Sequence, residues 1–210
     1  MKISDNYECF IFDCDGVILD SNRFKIEVFR RLALEWGSAS ADLFVEYVKK
    51  NFGTSRYKIF DYFLRNIIGC FDTSTYNRLL SDYGLHCKRE YLKCEVTKGF
   101  PEAISKLSNK KKYIASGSAQ DELRFVLAEK KLDTYFNGIY GSPTSKVENI
   151  LNIKIENPNA RILMIGDAKS DWKAASINNI DFLLLRGYST DMEFVHSFDG
   201  LTMNHLTELS

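Results

Sequence analysis

Two kinds of hydrophobic pattern divide the chain. Residues 7–12 form a short, mostly apolar run that ends abruptly in Asp13-Cys14-Asp15-Gly16. Comparable runs return late: 113–115 before Ser116-Gly117-Ser118, 161–165 before Gly166-Asp167, and 181–185 before Arg186-Gly187, with a shorter one at 138–140. A short apolar run closed by turn residues reads as a buried strand. Helical spacing over 101–107, 121–130, 147–155 and 171–177 separates most of these strands. Strands and helices in alternation predict an α/β chain, a parallel sheet with helices on both faces.

The stretch 22–94 breaks this rhythm and carries no strand pattern. Phe24, Val28, Leu32 and, offset by a turn, Trp36 recur at helical spacing. Leu43, Val45, Tyr47 and Val48 belong to a second helix that stops at Gly53. Ile59, Tyr62, Phe63 and Ile67 belong to a third that stops at Gly69. Tyr76, Leu79, Leu80 and Tyr83 belong to a fourth, expected to end at Gly84. The expected organisation is a core made of 1–21 and 95–210, a helical insertion 22–94, and hinges at 16–21 and 95–99. Pro101 suits the first turn of the returning helix.

A length of 210 residues suits one domain, or a core with a modest insertion. Lys plus Arg and Asp plus Glu are 28 each, and a balanced chain argues against nucleic acid as the main partner. The five cysteines form no C-x-x-C pair, and an odd number cannot all pair internally. The first residues lack the apolar core of a signal peptide, and no apolar run is long enough to span a bilayer. These features set the expectation of a reduced, cytoplasmic protein without a membrane partner.

Ligands of an open parallel sheet bind beyond the carboxyl ends of its strands, and the notable polar residues fall there. Asp13 and Asp15, two apart, would share a side if the chain stayed extended. Such a pair is tolerable when a cation neutralises one carboxylate or one stays protonated. A hard, oxygen-liganded ion such as Mg²⁺ suits them. One carboxylate could attack phosphorus while the other moves a proton. The plainer alternative is an Asp-Gly turn with a surface acid pair. Asp167 follows a strand and is placed to ligate a metal. Asp171 could ligate, hold Asp167, or merely cap a helix. Ser116 and Gly117 could cradle phosphate at a helix start, or Ser116 could be a simple N-cap. Lys146, at a loop-to-helix junction, could offset phosphate and carboxylate charge or be a solvated surface lysine.

Taken together and in order, Asp-x-Asp-Gly, Ser, Lys and Gly-Asp-x-x-x-Asp resemble the four motifs of the haloacid-dehalogenase-like superfamily, over nearly the whole chain. The run from Asp13 to Ser21 is similar to the subgroup with a helical cap, which includes phosphoglycolate phosphatases, sugar-phosphate phosphatases and β-phosphoglucomutases. The resemblance implies a Rossmann-like core with the inserted all-helical cap over the site. It implies Asp13 as nucleophile, Asp15 as general acid and base, and Mg²⁺ held by the Asp13 and Asp167 carboxylates with the Asp15 backbone carbonyl. The implied substrate is a small phosphorylated metabolite. Asp15 favours ester chemistry over the superfamily's dehalogenases and phosphonatases, and argues against a Schiff-base role for Lys25. Gly53-Thr54-Ser55-Arg56 resembles the mutases' substrate loop, which makes Arg56 a candidate substrate contact. The mutases' usual His after the first motif is replaced here by Asn22-Arg23-Phe24-Lys25, so a phosphatase is the expectation and a phosphosugar mutase the alternative. A non-catalytic binding protein on the same fold is the third reading, disfavoured because every motif aspartate is present.

Overall fold

The computed structural model describes residues 3–209. Six parallel strands form one sheet: β1 Cys9–Phe12, β2 Lys111–Ala119, β3 Gly138–Ser142, β4 Ile162–Gly166, β5 Asp181–Leu185 and β6 Leu201–Met203. Their order is β3-β2-β1-β4-β5-β6. The order reverses at β1, so β2 and β4 flank it and their loops open beside its end. That is the switch point at which such sheets bind ligands.

Alternate residues of the central strands serve opposite faces, as strand geometry requires. Phe10, Phe12, Ile114, Leu163, Ile165, Leu183 and Leu185 join one buried cluster. Cys9, Ile11, Tyr113, Ala115, Ile162 and Met164 join the other. The first face is covered by helices α5 (Phe100–Lys106) and α6 (Gln120–Glu129), through residues such as Phe100, Ile104, Leu123 and Leu127. The second is covered by α7 (Lys146–Glu156) and α8 (Lys169–Ile177), through Ile150, Ile153, Ala174 and Ala175. A ninth helix, α9 (Met192–Ser197), follows β5.

Between β1 and β2 the chain forms α1 (Asn22–Ala33), α2 (Ser38–Lys50), α3 (Arg56–Tyr62), a π-helical turn over Phe63–Ile67, and α4 (Thr73–Lys93). Phe29, Phe44, Phe60, Phe63 and Tyr83 interlock at its centre, with the Phe29 and Tyr83 rings 4.1 Å apart. The apolar face of α2 is Ala41, Phe44 and Val48, whereas Leu43 faces solvent. The connections in and out lie side by side: Asp20 N–H donates to Glu95 O and Thr97 N–H to Ile18 O, both at 2.9 Å.

Three expectations need correcting. The helix expected to end at Gly84 continues as α4 for nine more residues, to Lys93. Gly84 has a packing reason: the Arg56 Nη1 lies 3.0 Å from where a Cβ would stand. An interior glycine costs roughly 1 kcal/mol of helix propensity, and here it admits the Arg56 guanidinium. Ser116 does not end its strand and does not cap α6; β2 runs on to Ala119, which is the residue before α6. Its pairing with β3 shifts register between Ala115 and Ala119, so the ladder is interrupted where Ser116 sits. The condition for Asp13 and Asp15 sharing a side, an extended chain, is not met: β1 ends at Phe12, the chain bends at Cys14, and Gly16 turns it with φ +75°. Among the described residues, no helix is long and apolar enough to cross a membrane.

Candidate active site

Asp13 stands one residue past β1, its N–H donating to Ile165 O of β4 at 2.9 Å. Its side chain is buried. Oδ1 accepts from Lys146 Nζ at 3.0 Å, and Oδ2 has no partner. Asp167 stands one residue past β4. Its Oδ2 accepts from the Asn22 amide at 2.6 Å, and its Oδ1 has no partner. Asp171 lies in the first turn of α8. Its Oδ2 accepts from the N–H groups of Asp167 (3.2 Å) and Ala168 (3.1 Å), and its Oδ1 pairs with Lys146. One oxygen from each of Asp13, Asp167 and Asp171 lies within 4.8 Å of the others. Lys146, the first residue of α7, is buried rather than solvated.

The electrostatics follow from three buried carboxylates sharing one ammonium. Burial pushes Asp13 up to about 7 against the attraction of Lys146, with Asp171 and Asp15 adding repulsion. Burial, then repulsion from Asp171 and Asp13, raises Asp167 well above the usual carboxylate range. Burial would lower Lys146, but Asp13 and Asp171 outweigh it and the amine is held protonated. Buried carboxylate oxygens without a donor are rare and ask for a cause. The two such oxygens here, Asp13 Oδ2 and Asp167 Oδ1, with the surplus of negative charge, fit a hard divalent cation. Mg²⁺ takes one or two carboxylates and leaves its other positions for water and phosphate, which this donor set matches. Both Asp171 oxygens are engaged, so Asp171 suits holding the Asp167 loop and Lys146 rather than the ion itself.

Gly16 is required at this spot. A Cβ there would run into Asp167 Oδ2 and Asn22 Nδ2. Asn22, which also donates to Tyr188 O at 2.8 Å, ties the first residue of α1 to the Asp167 carboxylate.

Asp15 lies apart from this cluster, in a circuit of its own. Its Oδ1 accepts from Ser21 Oγ (2.6 Å) and Tyr91 OH (2.5 Å), and its Oδ2 from Lys25 Nζ (2.7 Å) and Ser118 Oγ (2.9 Å). Lys25 also donates to Tyr91 OH at 2.9 Å and Ser118 Oγ at 2.6 Å, which uses all three ammonium protons. Burial pushes the Asp15 carboxyl up, but Lys25 and then the Ser21 and Tyr91 hydroxyls outweigh it and hold it below the usual range. Lys25 is raised by Asp15 against its own burial, so it stays an ammonium.

Asp15, Lys25, Arg56, Tyr83, Gly117 and Ser118 line a small space between insertion and sheet, about 20 Å³ in volume. That is room for about one water, so the insertion lies close against the sheet here. Ser170 Oγ donates to Phe52 O at 2.8 Å, and a Cβ at Gly117 would strike the Gly53 carbonyl oxygen. Ser116 is buried beside Gly117, its Oγ accepting from Ser118 N–H at 3.2 Å. Arg56 reaches the lining, with its guanidinium committed to Glu122 of α6 at 2.6 Å and packed 4.7 Å from the Tyr83 ring centre.

The structure therefore brings Asp13, Lys146, Asp167 and Asp171 into one cluster, and sets Asp15 and Arg56 on the adjoining space. Sequence reasoning missed Asn22, Tyr91, Ser118 and Glu122. Ser118 carried a signal as the second serine of Ser-Gly-Ser, and Asn22 as the start of the segment that stands where the mutases usually have His.

The family profile of the haloacid dehalogenase-like hydrolases matches residues 10–185. No curated protein matches the chain by sequence. Solved structures share the fold at low identity. A hydrolase from Pseudomonas syringae aligns at TM-score 0.77 and 21% identity, covering 96% of this chain and 95% of its own. CbbY from Rhodobacter sphaeroides, solved in complex with phosphate, aligns at 0.76 and 13%, covering 97% and 96%. β-Phosphoglucomutase from Clostridium difficile aligns at 0.74 and 19%, covering 97% and 93%. The chain belongs to the haloacid dehalogenase-like hydrolases.

Proposed function

We propose that this hydrolase is a Mg²⁺-dependent phosphatase acting on a small phosphorylated metabolite, a sugar phosphate or related phosphomonoester, through an aspartyl phosphate on Asp13. The observation that carries this reading is the pair of buried, unpartnered oxygens, Asp13 Oδ2 and Asp167 Oδ1, at the ends of the adjacent strands β1 and β4 where the strand order reverses. Asp13, Asp167 and the Asp15 backbone carbonyl would hold the ion. When bound, it supplies positive charge for the phosphate oxygens.

In the first step an Asp13 oxygen attacks phosphorus, the ester P–O bond breaks, and the leaving oxygen takes the Asp15 proton. In the second, water attacks phosphorus and gives its proton to the Asp15 carboxylate. The bond to Asp13 then breaks and phosphate is released. Lys146 offsets the charge of Asp13 and Asp171 throughout, while the Ser116 hydroxyl and the Gly117 backbone bind phosphate. The closed arrangement, with four donors on Asp15, keeps it ionised as the second step needs, and the attacking water would take the place of one of those donors. Two of those donors, Lys25 and Tyr91, belong to the helical insertion. In this reading the insertion is a mobile cap whose opening withdraws them and lets Asp15 take up the proton that the first step needs.

The phosphatase reading stands above a mutase because a mutase must hold a bisphosphate, whose second phosphate needs a cation of its own. Arg56, the residue in the mutase-like loop, is already paired with Glu122. The test is phosphate release from an aryl phosphate and a panel of sugar phosphates, with Mg²⁺ and with EDTA. A coupled assay for glucose 6-phosphate formed from β-glucose 1-phosphate runs alongside. Release that needs Mg²⁺, with no glucose 6-phosphate, supports the reading; full turnover in EDTA overturns it.

A further inference from the structure

Two cations line the small space between insertion and sheet, and both are already neutralised by the protein. Lys25 spends its three protons on Asp15, Tyr91 and Ser118. Arg56 and Glu122 form an ion pair across the closed interface, with side chains only 6% and 9% exposed. The Tyr83 ring lies against one part of the guanidinium and Gly84 leaves space for another. Three separate residues are thus fitted to this one guanidinium: the Glu122 carboxylate from the core, and an aromatic face and a missing side chain from α4.

A buried pair resists exchange. Once the insertion closes, an anion that kept Arg56 for itself would leave Glu122 charged, dry and without its partner, which is far less favourable than closure with the pair re-formed. An anionic group entering the space would also meet the Asp15 carboxylate in its lining, with the Glu122 charge directly behind Arg56. A hydroxyl-bearing group meets no such penalty, and Asn51 and Thr54 also line the space.

Resting on the phosphatase reading above, we propose that Glu122 sets the substrate class. By neutralising Arg56 it makes the pocket select phosphomonoesters whose leaving group is uncharged, and reject those carrying a second carboxylate or phosphate. The discrimination acts on the part of the substrate remote from phosphorus, so it registers chiefly in KM.

The experiment compares kcat/KM of the full-length enzyme on glycerol 3-phosphate and 3-phosphoglycerate, which differ by CH₂OH against a carboxylate. Phosphoglycolate and glucose 1,6-bisphosphate extend the series. The wild type is expected to favour glycerol 3-phosphate by roughly tenfold or more, the scale of one charge-assisted hydrogen bond withheld. Glu122→Gln frees Arg56 and should narrow or invert the ratio through KM, and Glu122→Asp should restore it. A wild type that prefers the carboxylate or bisphosphate esters overturns the inference and leaves the phosphatase reading standing. An unchanged ratio in a folded Glu122→Gln does the same. Should Glu122→Gln fail to fold, the wild-type series and Glu122→Asp still decide. No turnover of any ester by the wild type overturns both.

Discussion

Lys25 of the insertion reaches across to the core and binds Asp15 at 2.7 Å, in a site where neither side chain is as much as 10% exposed. Because Lys25 holds the Asp15 carboxyl down, that pairing adds stability above the unfolded aspartate value of 3.8 and loses it as pH falls through the lower folded value. Lys25→Met should raise the Asp15 pKa and move the acid limb of the kcat profile to higher pH. It should lower kcat at neutral pH by roughly 10²-fold and let phosphoenzyme build up in rapid-quench experiments. Global stability should fall by about 3 kcal/mol. An acid limb that stays in place would refute the link between the two residues.

The carboxylate cluster has the opposite sign. Asp13 is raised to about 7 and Asp167 is raised well above 3.8 in the fold. The metal-free protein therefore binds more protons than the unfolded chain in that window. Its stability should decline as pH rises from about 4 through 7. Mg²⁺ should reverse the decline, by about 2.7 kcal/mol at a hundredfold excess over Kd. Thermal melts at pH 5 and pH 8, with and without Mg²⁺, should show the larger metal increment at pH 8. Equal increments would count against a metal held by these carboxylates.

Asp13→Asn keeps the shape of the side chain and removes one of three crowded charges. Turnover should drop to background while the metal-free Tm stays level or rises, because burial and repulsion both disfavour the charge that is lost. Residual activity above about one part in a thousand of wild type would contradict a covalent role for Asp13.

Asn22 fixes the Asp167 carboxylate by its 2.6 Å hydrogen bond. Partners of this kind typically account for about 10–100-fold in metal affinity. Asn22→Ala should raise the Mg²⁺ concentration for half-maximal activity by that order, with saturated kcat affected less. A Mg²⁺ titration of activity decides the matter.

The parts of this molecule visible in the sequence are those where one local pattern has one meaning. β1, β4 and β5 read as strands because burial on both faces leaves runs such as Ile162–Gly166 wholly apolar. Asp13 and Asp167 stood out because a carboxylate directly after such a run is out of place. β6 is three residues long at the sheet edge, with Thr202 at its middle, and has no period to detect. The circuit around Asp15 was hidden for a different reason. Tyr91 lies 76 residues from Asp15, and Ser118 lies 103 away. Lys25 sits on an amphipathic helix, where a lysine ordinarily faces water. The partner of Arg56 was equally hidden, since Glu122 occupies the first turn of α6, a position acids often favour for the helix dipole alone.

Where the insertion meets the sheet beside Ser116, the fit depends on atoms that are absent. Gly53 brings its carbonyl oxygen against Gly117, and neither residue has a side chain to keep the other away. A methyl group at 117 would act as a wedge between insertion and sheet. Under the proposed mechanism, in which the insertion is a lid, such a wedge would leave the mixed anhydride on Asp13 wetted from outside, so this contact, beside the Lys25–Asp15 and Arg56–Glu122 pairs, would help shield it from stray water between its formation and its hydrolysis.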